Sequence, residues 1–170
     1  MSDVIIVFNA GSSSLKFTVF QIKQKSHIRK MIKGRIEYDV DTFHFLASDQ
    51  NDHLIDQTTH KLPHTQPLEY LLTWLAEHEQ GRHNIVAAGH RIVPGGPTFL
   101  SPVLVTPDIL AQLAALTPFA PLPQPPPLAP VHAIAPYRPT LPQPACLDTA
   151  FHQTIPDLAR LLPLPRRFRD

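Results

Sequence analysis

Apolar and polar positions follow two rhythms along this chain, and the change of rhythm organises it. Val4-Ile5-Ile6-Val7-Phe8 is a short continuous apolar run, the pattern of a strand buried on both faces. A cluster of turn formers follows, Asn9-Ala10-Gly11-Ser12-Ser13-Ser14. From Leu15 to Ile22 the period is two, with Leu15, Phe17 and Val19 alternating against Lys16 and Thr18. The connection is too short for a parallel crossover, so these two strands form a hairpin. Further strands are expected around Lys30 to Tyr38 and Thr42 to Ala47. The rhythm then becomes helical. Leu68, Leu71, Leu72 and Leu75 mark a helix over Pro67 to Gln80, opened by Pro67 and stopped at Gly81. Ile85 to Val93 reads as a strand running into a Pro94-Gly95-Gly96-Pro97 loop. Thr106-Pro107-Asp108 is a helix start: a capping hydroxyl, a proline at the first position and an acid at the positive end of the dipole. Leu110, Leu113 and Leu116 give that helix one apolar face before Thr117-Pro118 ends it.

The pattern becomes hard to read between Pro118 and Pro144. Eleven of the 20 prolines fall there, and eighteen lie at or beyond Pro94. Only Leu128 to Ala135 can hold a helix, limited to about two turns by Pro130 and Pro136, since an interior proline costs ~3 kcal/mol. Arg138 is the one charge in this stretch, so it does not read as a solvated linker. Ala145-Cys146-Leu147 is a last short strand carrying Asp148 at its end, and Leu158 to Leu162 begins another helix. The order, hairpin strands and then helix–strand–helix–strand, predicts an α/β fold. Its mixed sheet has an N-terminal antiparallel hairpin and later parallel strands flanked by helices.

Length and charge narrow the function. A chain of 170 residues with 43% hydrophobic positions suggests one domain with a real core. A net charge of +1 gives no basis for strong electrostatic binding to nucleic acid. One cysteine, Cys146, excludes an internal disulfide. No apolar run reaches the ~18 residues of a membrane span, and Met1-Ser2-Asp3 is unlike a secretory leader, so a cytoplasmic location with no membrane partner is expected. Ten histidines invite a metal reading, but Pro63 separates His60 from His64 and Gly81 separates His78 from His83.

Three motifs carry candidate chemistry. Asn9 to Lys16 has the parts of a phosphate cradle: a tight turn, hydroxyls and a lysine. It is not a Walker A loop, because its lysine leads into a strand. The spacing alone fits a polar serine-rich turn as well. Gly89-His90-Arg91-Ile92-Val93-Pro94-Gly95-Gly96 ends a strand with an arginine, able to grip a carboxylate or phosphate bidentately or to pair with a structural acid. Asp148-Thr149-Ala150-Phe151-His152-Gln153-Thr154 places a carboxylate at a strand end, where it can hold Mg²⁺, move a proton or cap the next helix.

Together, in this order and at these separations, the three motifs closely resemble the acetate kinase family of short-chain acyl kinases. That family carries Asn-x-Gly-Ser-Ser-Ser-x-Lys, Gly-His-Arg-x-Val-His-Gly-Gly and Phe-Asp-Thr-Ala-Phe-His-Gln-Thr-Met-Pro, matched at Asn9 to Lys16, Gly89 to Gly96 and Leu147 to Pro156. The resemblance implies half of an actin-like, ribonuclease H-like pair of α/β domains. The implied reaction converts ATP and acetate to ADP and acetyl phosphate, with Mg²⁺ or Mn²⁺ as cofactor. It gives Asn9 and Lys16 nucleotide-phosphate contacts aided by Ser12 and Ser14, and gives Asn9 and Asp148 the metal side. Arg91 becomes the substrate and phosphoryl clamp, Asp148 the catalytic carboxylate, and Val93 and Leu122 the walls of the acetate-methyl pocket. A homodimer is implied for full-length members.

Three departures stand out. Pro94 and Pro123 replace histidines of the family pattern, and Pro127 replaces an asparagine. Members run to about twice this length, so residues 1–170 read as an N-terminal domain with a Pro-rich segment at 118–144. The adenosine-binding domain, with its further arginine and glutamate, is expected to lie outside them. A propionate or butyrate kinase is implied equally well. A binding module offering Pro121-Leu122-Pro123-Gln124-Pro125-Pro126-Pro127 to an aromatic groove is the alternative of another class.

Overall fold

The computed structural model describes residues 2–24, 27–62, 66–79, 83–93, 98–116, 128–148, 155–156 and 159. Apart from Ala159, which is helical, the expected helix at Leu158 to Leu162 lies outside the described residues, as do the stop at Gly81, the Pro94 to Pro97 loop, Leu122, Pro123 and Pro127.

The hairpin expected from the first two rhythms is present. Strand β1, Ser2–Ala10, pairs antiparallel with β2, Ser14–Gln24. Strands β3, His27–Tyr38, and β4, Thr42–Asp49, continue the meander. A fifth strand, β5, Leu54–Lys61, was not legible in the sequence. Helix α1, Pro67–Glu79, then leads to β6, His83–Ile92, which lies parallel to β1. The two-residue β7, Val103–Leu104, also went unread. Helices α2, Pro107–Ala115, and α3, Ala129–Ile134, precede β8, Pro144–Leu147, which lies parallel to β6. The eight strands form one mixed sheet in the order β5-β4-β3-β2-β1-β6-β8-β7.

The local chemistry explains the helix starts. The Thr106 hydroxyl accepts a hydrogen bond from the Ile109 N–H, with Pro107 in the first turn. Helix α3 stays at six residues, within the limit set by Pro130 and Pro136.

Helices α1, α2 and α3 cover one face of the sheet. Two successive crossovers in the same direction, β1 to β6 and β6 to β8, put their helices on the same side. That face carries Val4, Ile6, Phe8, Leu15, Phe17, Val19, Phe43 and Phe45, all buried beneath Leu71, Trp74 and Leu75 of α1 and Ile134 of α3. Phe45 lies 4.9 Å from the Trp74 ring, and the Trp74 indole N–H donates to Asp56 at 2.7 Å. Gly34 is required by this packing. A Cβ there would fall 2.4 Å from the Phe17 ring and 2.6 Å from the Leu46 carbonyl oxygen. Ile92, Leu113, Leu128, Ala145 and Leu147 form a second cluster on the same face.

The opposite face is more open. Ile5 and Val7 are only half-buried, against the expectation that Val4 to Phe8 is buried on both sides. With all described helices on the other face, the odd-numbered positions of β1 lack a full cover.

Candidate functional site

Strand register builds the site. Asn9 is the partner of Lys16 on β2 and of Arg91 on β6, and Arg91 is the partner of Cys146 on β8. Directly paired residues point to one side of a sheet, so Lys16, Asn9, Arg91 and Cys146 form a transverse row on the open face. Asp148, two residues past Cys146 and just beyond the end of β8, follows that row. In open α/β sheets ligands collect at the carboxyl ends of parallel strands, which is where Asn9, Arg91 and Asp148 stand.

Arg91 is the hub. Its Nε–H donates to both carboxylate oxygens of Asp148, at 2.9 and 3.1 Å, and its Nη2 closes a further short contact with Asp148 Oδ2. Its Nη1 donates to Asn9 Oδ1 at 3.1 Å. The hydrogen bonds that Arg91 donates to Asp148 raise the guanidinium pKa further above its ordinary value, so it is cationic at any working pH. The Arg91 side chain is 50% exposed and that of Asp148 36%. An ion pair this open contributes about 0–1 kcal/mol to stability. Holding the fold together is therefore a weak explanation for it.

The serine-rich turn adds a second element. It closes through the Gly11 N–H donating to the Ser14 carbonyl at 2.8 Å, which uses that amide inside the turn. Tyr38 N–H donates to the Ser13 carbonyl at 3.0 Å and ties the turn to β3. Ser12 is exposed, and Lys16 stands on the outgoing strand next to Asn9. Val93 lies just past β6 and is 44% exposed.

Sequence reasoning passed over what lies under this row. His90, one residue before Arg91, points into the covered face and is 2% exposed. Its ring stacks on Phe8 at 5.5 Å, and its Nε2–H donates to Gln143 Oε1 at 2.9 Å. Burial lowers its pKa to about 4, with the Gln143 bond opposing, so the ring is neutral near pH 7. The signal available in the sequence was a histidine in the inward phase of a strand.

Elsewhere, His60 stacks on Phe43 and Tyr70, and His78 on Trp74. Among the described residues no group of three His, Cys, Asp or Glu side chains could enclose a metal ion. No helix among them is long and apolar enough to cross a membrane.

The site thus joins a cationic guanidinium and a carboxylate at strand ends, beside a serine-rich hairpin turn, in a mixed α/β domain. The chain belongs to the acetokinase family, whose model matches residues 4–170. It is 38% identical over 173 residues to the acetate kinase of Rhodopseudomonas palustris strain CGA009, covering 100% of this chain and 43% of that protein. The acetate kinase of Coprothermobacter proteolyticus is 36% identical over 165 residues, covering 95% and 41%. Among solved structures, a propionate kinase from Francisella tularensis superposes with a TM-score of 0.76 at 30% identity. Porphyromonas gingivalis acetate kinase gives 0.77 at 26%; both matches cover 98% of this chain and 42% of the other. The chain thus spans less than half the length of these relatives. Their structures share its mixed α/β architecture, that of the actin-like ATPase fold.

Proposed function

We propose that residues 1–170 form the N-terminal domain of an ATP-dependent acetate kinase, catalysing reversible phosphoryl transfer to give acetyl phosphate and ADP. One observation carries the reading: Arg91 clamps Asp148 and Asn9 together at the carboxyl ends of β1, β6 and β8 in a chain of the acetokinase family. The chemistry suits these groups. Acetate is already an anion, so the reaction needs positioning and charge neutralisation more than a strong base. Arg91 draws the acetate carboxylate and the transferring phosphoryl group together and offsets charge developing on the equatorial oxygens. An acetate oxygen attacks the γ-phosphorus, the bond to the bridging oxygen breaks, and ADP leaves with that oxygen. Asp148, held by Arg91, orients the guanidinium and faces the phosphate side. Lys16, Ser12 and Ser14 contact nucleotide phosphates, and Val93 with Leu122 bounds the methyl pocket.

Asn9 and Asp148 supply hard oxygen donors. They are too few for an all-protein cage but fit Mg²⁺, which keeps its waters and shares substrate phosphates. When bound, that ion would add Lewis-acid charge neutralisation to what Arg91 supplies. The fit to a propionate kinase structure supports a second reading in which the acyl group is one carbon longer. A cytoplasmic location and a homodimer of the whole protein complete the proposal.

The test is acetate-dependent ADP release. A chimera in which this segment replaces the matching 43% of the Rhodopseudomonas palustris relative should turn over acetate, and Arg91→Ala should lower turnover at least a hundredfold. Turnover indifferent to Arg91 would overturn the assignment. The 170-residue chain alone should show none, because nothing in it is assigned to adenosine, and holding both reactants in line is worth ~7–11 kcal/mol in favourable cases.

A further inference from the structure

The His90–Gln143 pair lies on the face opposite the site, yet it sits where the geometry of Arg91 and Asp148 is decided. Strand β8 is a weak element. It has four residues and pairs with β6 through only three positions, His90 with Ala145, Arg91 with Cys146 and Ile92 with Leu147. Its other neighbour, β7, has two residues, and Pro144 has no N–H to give to either ladder. A ladder this short specifies its register poorly. A slip of one residue would turn Asp148 to the covered face, and a slip of two would move it ~6.6 Å along the strand.

Gln143 stands at the entrance of β8. Its side-chain oxygen accepts from His90 at 2.9 Å, its side-chain nitrogen reaches the Val131 carbonyl of α3 at 3.5 Å, and its backbone carbonyl accepts from Val105 N–H at 2.9 Å. One residue earlier, the Pro142 carbonyl accepts from Ala88 N–H at 3.0 Å. The two rings of the tie, His90 and Phe8, belong to residues that immediately precede Arg91 and Asn9 and are themselves register partners.

From this geometry we infer that His90 and Gln143 are positioning residues: their buried hydrogen bond pins the β6–β8 register and so sets Arg91 against Asp148. Stability does not account for the pair. His90 Nδ1 is buried with no hydrogen-bond partner among the described residues, a cost that an apolar side chain would avoid. Replacing both members of a buried hydrogen bond by apolar groups of similar shape is often neutral or stabilising. What a directional bond adds is a single allowed alignment. The inference rests on the site reading above for its functional meaning, but its structural content is independent of it.

The experiment uses the 170-residue chain and the double variant His90→Phe with Gln143→Leu, which keeps the stacking on Phe8 and removes the bond. The readouts are thermal unfolding, the ¹⁵Nε–¹Hε resonance of Arg91, and titration with inorganic phosphate. Unfolding is expected at or above the wild-type temperature. The Arg91 resonance should shift toward that of free arginine, and phosphate affinity should fall at least fivefold. His90→Gln, which keeps a donor of similar reach, should leave the resonance in place. If the double variant does not fold, Gln143→Asn, too short to reach His90, is read in the same way. An unmoved Arg91 resonance in a folded variant that lacks the bond overturns the inference, as does a resonance lost equally in folded His90→Gln. Failure of the wild-type chain to bind phosphate would count against the kinase reading alone, because the Arg91 resonance still reports the register.

Discussion

The two faces of the central strands carry opposite chemistry at adjacent positions. Phe8, His90, Ala145 and Leu147 point under the helices and are buried, whereas Asn9, Arg91 and Cys146 point to the open side, with Asp148 at the strand end beside them. One residue of chain separates a core packing contact from a candidate reactive group. The covered face is continuous and aromatic, with Phe17, Phe45 and Trp74 in mutual ring contact. The open face holds a polar row over half-buried apolar positions. The difference teaches where binding and stability are separable: substitutions on the covered face should act on folding, apart from the His90–Gln143 tie that sets the strand register, and those on the open face on ligands.

The largest expected effect tests the covered face. Phe45 is fully buried against Phe17, Tyr70 and Trp74, so Phe45→Ala should destabilise the chain by about 3–5 kcal/mol, read by urea or thermal unfolding. A loss under about 1 kcal/mol would mean that the aromatic cluster is not the core it looks to be. Gly34→Ala belongs to the same class. The intruding methyl meets a backbone carbonyl as well as a ring, so relaxing the Phe17 side chain alone cannot absorb it. A marked drop in unfolding temperature is expected, and none would show that β3 and β4 can move apart freely.

A smaller effect comes from His90, through pH. In the unfolded chain its pKa is near 6.5, and burial lowers it to about 4 in the fold. Between these values the unfolded state binds the extra proton, so stability is complete above about pH 6.5 and falls as the pH drops toward 4. The loss reaches about 3 kcal/mol, at ~1.4 per pH unit, and levels off below pH 4. Unfolding measured across pH 7 to 4 should show this slope, and His90→Phe should flatten it by that amount. An unchanged slope in the variant would place the acid sensitivity elsewhere.

Much of this contrast was legible in the sequence, and the missing parts have physical causes. The hairpin of β1 and β2, the cap at Thr106 and the shortness of α3 follow from local rules that tertiary packing did not override. The strand ends carrying Arg91 and Asp148 were also visible, because apolar runs stop there. Strand β5 was missed because it is a polar edge strand, Leu-Ile-Asp-Gln-Thr-Thr-His-Lys, with little apolar alternation to detect. Strand β7 is too short to leave a pattern. The Lys16–Asn9–Arg91–Cys146 row could not be read at all, since register across strands distant in sequence is fixed by pairing rather than by any local signal. The same holds for His90 and Gln143, which are 53 residues apart.

The smallest effect on stability should come from the open face, and it is the sharpest test of the comparison. Arg91→Ala removes three side-chain contacts to Asp148 and one to Asn9, more hydrogen bonds than most substitutions in the chain would break. Counted as bonds, that predicts a large loss. Counted by environment, it predicts almost none. The guanidinium is half exposed, so water replaces its protein contacts, and the Asp148 carboxylate, 36% exposed, is open to water. The expected change in unfolding free energy is therefore under about 1 kcal/mol, and weaker still in high salt. Over the same substitution, inorganic phosphate binding to the chain should be lost. A stability loss of several kcal/mol would mean that the Arg91–Asp148 pair is a structural clasp, and the division of labour between the two faces would not hold.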